Sequence, residues 1–230
     1  MNVLNQYFDK VYVITTSIET DRQSYISNYL NKNNIIYNLR TSIPHTFLQN
    51  YPIKDLWQSD RITNSKEISL CLCYLSIFKE CIYNKTYKIL ILEDDIVFEN
   101  DYIEKFIKFM SSVKDNWDIL NFGYHHKKYE SGWKYFEVDE FVSDAEVSWT
   151  THMLAVNKEI ILRNLSDKII NSTMPIDYIV NYFTHICKCL NDERRMICYI
   201  PNEIICKQLS YRDQENKPDN KIFKSLIETI

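Results

Sequence analysis

Short apolar runs alternate along this chain with longer stretches in which apolar residues return every three or four positions. "KVYVIT", from Lys10 to Thr15, is β-branched and aromatic and predicts a first strand. Tyr25, Ile26, Tyr29 and Leu30 then fall at helical spacing, with Thr20 or Asp21 as a cap. "IIYNLR" predicts a second strand. A less regular stretch runs to about Thr63 and holds Pro44, Pro52 and Trp57. Long connections of that kind tend to be functional or mobile. "NSKEISLCLCYLSIFKECIYNK" places Ile68, Leu72, Leu75, Phe78 and Ile82 on one helical face, with Asn64 or Ser65 as cap and Glu67 in the first turn. "YKILIL" is continuously apolar, as a strand buried on both faces is. Glu93, Asp94 and Asp95 follow it directly, and a helix is expected from about Asp101 to Val113. "WDILNF" predicts a central strand ended by Gly123, "THMLAV" another strand and "NKEIILRNL" a helix. "MPIDYIVNYFTHICKCL" predicts a helix opening on Pro175, a residue favoured in a first turn. "RMICYI" is a late strand, residues 124–148 carry no clear period, and residues 212–230 read as a polar tail. Strands alternating with helices predict one α/β domain over residues 1–230, with a mostly parallel central sheet flanked by helices.

Composition narrows the function classes. The net charge is −4 with both signs interspersed, which argues against a nucleic-acid binder that lives on phosphate neutralisation. The chain has only 2 glycines, Gly123 and Gly132, so neither a G-x-G-x-x-G dinucleotide fingerprint nor a P-loop can exist in it. Any phosphate it holds needs a metal or basic side chains. The 7 cysteines include no C-x-x-C pair; they read as buried thiols in a reducing compartment. No stretch approaches the roughly 18 apolar residues of a membrane span, and the N-terminus lacks the basic and apolar regions of a signal peptide. A cytoplasmic protein without a transmembrane segment is the expectation.

The acidic triplet is the sharpest feature. In an open α/β sheet, ligands bind beyond the carboxyl ends of the strands, and Glu93, Asp94 and Asp95 fall at such an end. Three adjacent carboxylates repel one another unless solvated or neutralised. A divalent cation is a natural neutraliser, and carboxylate oxygens suit Mg²⁺ or Mn²⁺. The other reading is an acidic turn favoured by the dipole of the following helix. A phosphoacceptor receiver domain fits poorly. Asp118 begins a strand rather than ending one and follows Asp95 too closely, and Lys217-Pro218 lies in the tail.

The ordered set of motifs resembles glycosyltransferase family 25, which includes lipopolysaccharide sugar transferases and procollagen galactosyltransferases. "VYVITTSIETDR" is similar to the family's opening strand and its arginine, here Arg22. "KEISLCLCYLSIFKECI" resembles the helix that usually reads Gly-Glu-Ile-Gly-Cys and then Leu-Ser-His. "ILILEDDIVF", "WDILNFG", "THMLAVNKEIILRNL", "MPIDYIV" and "YIPNEIICKQLSYR" resemble successive later motifs, so the likeness spans about Lys10 to Ser210. The departures are Thr15-Thr16 for Asn-Leu, Lys66 for the helix glycine, Cys73-Tyr74 for Ser-His, Thr150-Thr151 for Gly-Thr, and Leu154 for an aromatic.

The resemblance implies a GT-A-like nucleotide-diphospho-sugar transferase fold and a metal-dependent, inverting transfer. A hexose, galactose or glucose first, would pass from a UDP-sugar to a hydroxyl of a glycan or glycoprotein acceptor. It implies Mn²⁺ or Mg²⁺ on Asp95, with Glu93 also at the metal. Thr15, Arg22, Glu93, Asp94, Gln208 and Ser210 are expected at the donor, and Asp177 as the general base. Asp177 also reads as an acid favoured by a helix dipole. His125, His126, Trp133 and Trp149 are candidates for the acceptor side or for ordinary packing, and His152 reads as a buried histidine rather than a ligand. The alternative to an active transferase is a degenerate relative that binds nucleotide-sugar or serves as a scaffold.

Overall fold

The computed structural model describes residues 2–16, 20–44, 47–48, 65–123, 134–147, 150–172 and 174–209. The chain opens with one short turn of helix, α1 (Leu4–Tyr7), and strand β1 (Lys10–Thr16). Next come α2 (Thr20–Lys32), β2 (Asn38–Ser42), α3 (Ser65–Asn84), β3 (Ile89–Glu93), β4 (Ile96–Phe98) and α4 (Tyr102–Ser112). β5 (Ile119–Asn121), β6 (Lys134–Glu137), β7 (Val142–Val147), β8 (Met153–Val156) and α5 (Glu159–Ile170) continue the alternation. α6 (Ile176–Asn181) runs through a π-turn (Tyr182–Ile186) into a last helical turn, before β9 (Cys198–Pro201) and β10 (Cys206–Gln208).

Among the described residues, eight strands form one sheet in the order β2-β1-β3-β8-β5-β9-β7-β6. β1 lies parallel to β2 and β3, and β5 parallel to β9. β8 runs antiparallel between β3 and β5, and β7 antiparallel between β9 and β6. Six of the eight strands therefore point one way, as the alternation predicts. The reversal of "THMLAV" is not readable from its residues, because an apolar run buried on both faces looks the same in either direction.

The period of two sorts each central strand between two cores. Ile89 and Ile91 pack with Tyr12, Ile14, Leu154 and Val156 under α3, α5 and α6. Leu90 and Leu92 pack with Val11, Val13, Met153 and Ala155 on the opposite face, under α1, α2 and α4. The result is a sheet between two helical layers. Among the described residues, no helix is long and apolar enough to cross a membrane.

Some expectations shift. The second strand begins at Asn38 rather than Ile35, with Ile35 buried in the core and Ile36 largely exposed. β4 and β10 form a second, two-stranded antiparallel sheet that local pattern did not announce. Part of the stretch without a clear period is the β6–β7 pairing, with a register shift at Lys134/Tyr135. The polar tail, and most of the long connection before α3, lie outside the described residues.

Candidate functional site

The acidic triplet sits where β3 leaves the sheet. Ile14 of β1 stands opposite Glu93 in the parallel register, so Thr15 lies one step further along at the same strand end. Thr15 is buried, and among the described residues its hydroxyl has no hydrogen-bond partner. The Glu93 amide donates to the His152 carbonyl at 2.9 Å, which ties the acidic turn to the start of β8. Asp94 and Asp95 then form a buried turn into β4.

Two elements close over that turn. Gln208 pairs with Ile96 across β10 and β4, and the Leu209 amide donates to the Asp95 carbonyl at 2.6 Å. This places the Gln208 amide between two acids: Nε2 donates to Asp95 Oδ2 at 3.2 Å and to Glu93 Oε2 at 3.4 Å. From the other side, Tyr25 Oη donates to the Ile96 carbonyl, and Tyr29 Oη accepts from the Phe98 amide at 2.7 Å. Arg22, Tyr25 and Tyr29 share one face of α2 by their spacing, so the tyrosine contacts carry Arg22 onto the turn. One guanidinium nitrogen, Nη2, lies 2.5 Å from Asp94 Oδ1 and 2.9 Å from Asp95 Oδ2.

Burial and its two neighbours set the state of Glu93. Loss of water first, and then the Asp95 and Asp94 charges, push its carboxyl up to about 8, against the pull of Thr151 and Arg22. Thr151 Oγ1 donates to Glu93 Oε1 at 3.3 Å.

A strained connection presents Thr151. Thr150 holds φ at 80°, a region β-branched residues rarely adopt. Its carbonyl accepts from Asn121 Nδ2 at 2.8 Å, and its hydroxyl bonds the Gly123 carbonyl. Gly123 must lack a side chain here, since a Cβ would sit 2.8 Å from the His152 ring and from the Met153 amide nitrogen. Tyr74 of α3 donates to the Thr151 carbonyl at 3.1 Å; this is the tyrosine that replaces the family's histidine.

Asp177 lies in the first turn of α6, after Pro175 at the cap position. Cys71 Sγ contacts the Met174 carbonyl at 3.6 Å, which docks this turn against α3 near Glu67 and Leu70. Burial raises the Asp177 carboxyl above its ordinary value, against the bond it accepts from the Tyr178 amide. Burial and the Asp177 charge raise Glu67 in turn.

Glu93, Gln208, Thr151 and Asp177 meet in one cavity of about 210 Å³, lined also by Glu67, Leu70, Thr150, His152, Pro175 and Ile176; Arg22, Asp94 and Asp95 stand behind its wall. The structure thus brings together Glu93, Asp94, Asp95, Arg22 and Gln208, sets Thr15 at the adjacent strand end, and joins Asp177 to Glu93 and Gln208 through the cavity wall. Ser210, His125, His126, Trp133 and Trp149 lie outside the described residues. His152 is buried, as expected, and it also lines the cavity. Sequence reading missed Glu67, Thr151 and Asn121 as parts of the site. Glu67 was visible only as a first-turn acid, Thr151 only as a departure from a family motif, and Asn121 had no local signal.

The donor set bears on a metal. Among the described residues, no three Asp, Glu, His or Cys side chains are grouped as an all-protein metal cage. Glu93 and Asp95, however, direct oxygens at a common point, the Gln208 amide nitrogen. Mg²⁺ and Mn²⁺ sites of this kind need one or two carboxylates and complete their shell from water and substrate phosphates. The residues fit that smaller requirement.

No curated protein matches the chain. Among solved structures, the chain is similar to the inositol-1-phosphate CTP transferase from T. maritima, at 11% identity over 97% of this chain and 98% of that one, with a TM-score of 0.51. It is also similar to a glycosyltransferase involved in the glycosylation of the major capsid of PBCV-1, at 10% identity over 96% of this chain and 100% of that one, with a TM-score of 0.49. The first likeness shows the fold, a GT-A-like α/β sheet. The family model described as glycosyltransferase family 25 (LPS biosynthesis protein) matches residues 8–173. That span includes β1, Arg22, the acidic turn and Thr151 but stops short of Asp177 and Gln208, which stand on geometry. With most of its length and its acidic turn inside that match, the chain belongs to glycosyltransferase family 25 and is a glycosyltransferase.

Proposed function

We propose that the protein transfers a hexose, galactose or glucose, from a UDP-sugar to a hydroxyl of a glycan or glycoprotein, with inversion at the anomeric carbon and with Mn²⁺ or Mg²⁺ at the acidic turn. The observation that carries this reading is the shared cavity. Glu93 and the Gln208 amide line it together with Asp177, a half-buried acid on another element, and Asp95 adjoins the wall through its bond with Gln208. Its volume of about 210 Å³ is below the ~300 Å³ lower bound of ordinary small-molecule sites. It suits one sugar-sized group rather than a whole nucleotide-sugar.

Asp95 and Glu93 would hold the metal, which supplies Lewis-acid neutralisation of the departing diphosphate. Gln208 orients both carboxylates through its amide. Thr15, at the end of β1, offers a buried hydroxyl to the nucleotide. Arg22 brings a positive charge beside the diphosphate, and Asp94 anchors Arg22. Asp177 accepts the proton of the attacking hydroxyl. Burial raises its pKa, which makes it a stronger base than a solvated aspartate.

The test is a thermal-shift and hydrolysis screen of UDP-, GDP- and CMP-sugars, with and without Mn²⁺. A ligand at a hundred times its dissociation constant stabilises by ~2.7 kcal/mol. One UDP-sugar should give a metal-dependent shift and slow release of UDP, and Asp95→Ala should lose both while keeping its fold. Equal binding and turnover in that variant would remove the acidic turn from the site.

A further inference from the structure

The Arg22 contact separates the roles of the two aspartates. Asp94 and Asp95 are buried, at 4% and 2% exposure. Two buried carboxylates in adjacent positions need a counter-charge, and the guanidinium supplies it, with Nη2 within reach of both. Asp95 Oδ2 is the same oxygen that meets Gln208. It is therefore the oxygen of Asp95 that faces Glu93 across the amide, and a cation held by both acids would take the place of the Gln208 amide nitrogen there. Arg22 and a divalent cation compete for one atom. Its contact with Asp94 uses a different acid and is the shorter of the two, at 2.5 Å against 2.9 Å.

We propose that Arg22 is the resident counter-cation of the acidic turn and a gate on metal binding. Without donor, Arg22 holds Asp95 and keeps the affinity for free metal low. When metal and diphosphate arrive together, Arg22 gives up Asp95, stays anchored on Asp94, and turns its freed donors to the diphosphate. Metal and nucleotide then bind with positive coupling, because the diphosphate supplies the new partner that the guanidinium needs. This inference rests on the metal reading given above, but it concerns a different residue and a different measurement.

The experiment is Mn²⁺ binding, by the loss of free-ion EPR signal and by calorimetry, on the full chain with and without UDP. Wild-type protein should bind Mn²⁺ weakly alone and at least about tenfold tighter with UDP, a coupling of about 1.4 kcal/mol. Arg22→Gln should bind Mn²⁺ alone at least about tenfold tighter than wild type and lose most of the gain from UDP. Arg22→Lys, which keeps the charge but not the fork, guards against a folding defect. It should stay closer to wild type for Mn²⁺ alone. Adding Asp95→Ala to Arg22→Gln should abolish the tight binding, which assigns the ion to this turn. UDP-dependent Mn²⁺ binding in wild type with unchanged or weaker Mn²⁺ affinity in Arg22→Gln would overturn the gate and leave the metal reading intact. Absence of Mn²⁺ binding in both proteins, with and without UDP, would overturn the two together.

Discussion

Replacing Glu93 by Gln tests the electrostatics of the acidic turn with no substrate in hand. The Glu93 carboxyl is pushed up from 4.5 to about 8, by burial first and then by Asp95 and Asp94. Between those values the folded protein holds a proton that the unfolded chain releases. Stability therefore falls as pH rises: the contribution is fully present below about 4.5 and is lost as pH passes through about 8. The slope is at most ~1.4 kcal/mol per pH unit, so the ceiling between about pH 5.5 and pH 8 is roughly 3 kcal/mol. Glu93 keeps some solvent contact, and screening reduces this to about 1–2 kcal/mol. At ~2–4 °C per kcal/mol for a chain of this size, wild type should lose about 2–8 °C more than Glu93→Gln over that window. The assay is a pair of melting series in metal-free buffer. Glutamine keeps the size of the side chain and cannot titrate. Glu67 and Asp177 are raised in both proteins, so their losses cancel in the difference. Parallel curves for the two proteins would show that Glu93 is not held protonated, and the account of the turn as a cluster of mutually repelling, desolvated acids would fail.

Asp177→Asn should retain donor binding in the thermal-shift assay while transfer slows by ~10²-fold or more; an unchanged rate would return Asp177 to a helix-terminal role. Gly123→Ala puts a methyl group 2.8 Å from the His152 ring and the Met153 amide nitrogen. Backbone cannot swing aside, so a loss of about 1–3 kcal/mol is expected in denaturant melts; wild-type stability would mean the approach is looser than drawn. Tyr74→Phe strips the donor from the buried Thr151 carbonyl, and should cost about 1–3 kcal/mol and weaken donor binding. A variant with normal stability and binding would detach Tyr74 from the site.

Much of this architecture could be read from local pattern, for a physical reason. A strand buried on both faces must be apolar, and the "ILIL" of β3 is; a helix lying on a sheet must repeat its apolar face, and α3 does, though the face it buries is Cys71, Tyr74, Ile77, Phe78 and Cys81, with Ile68, Leu72, Leu75 and Ile82 only half-buried. The acidic triplet was legible because three carboxylates beyond a buried strand oppose the local trend. What escaped depends on contacts distant in sequence. Gln208 reaches Glu93 from 115 residues away and Asp95 from 113, through the short β4–β10 pairing. Each of those strands has 3 residues, too few to show a period. Thr151 was visible only as a departure from a family motif. Its role follows from a backbone bend at Thr150 that no residue preference predicts, because a β-branched residue is a poor choice for φ 80°.

The departures from the family pattern are interpretable in the same terms. Cys73 and Tyr74 replace a Ser-His pair, and both are buried. Burial holds the Cys73 thiol up to about 12 and raises the Tyr74 phenol well above its usual range. Neither group can take a proton from an acceptor near neutral pH. Tyr74 instead acts as a fixed donor that positions the Thr151 carbonyl. Under the proposed mechanism, proton removal then falls to a carboxylate inside the cavity. Of the three carboxylates on its wall, Glu93 is bound up with Asp95 through Gln208, and Glu67 has its charge opposed by Asp177. On that proposal Asp177 is left to act as the base, which makes the Asp177→Asn rate the measurement on which the chemical reading turns.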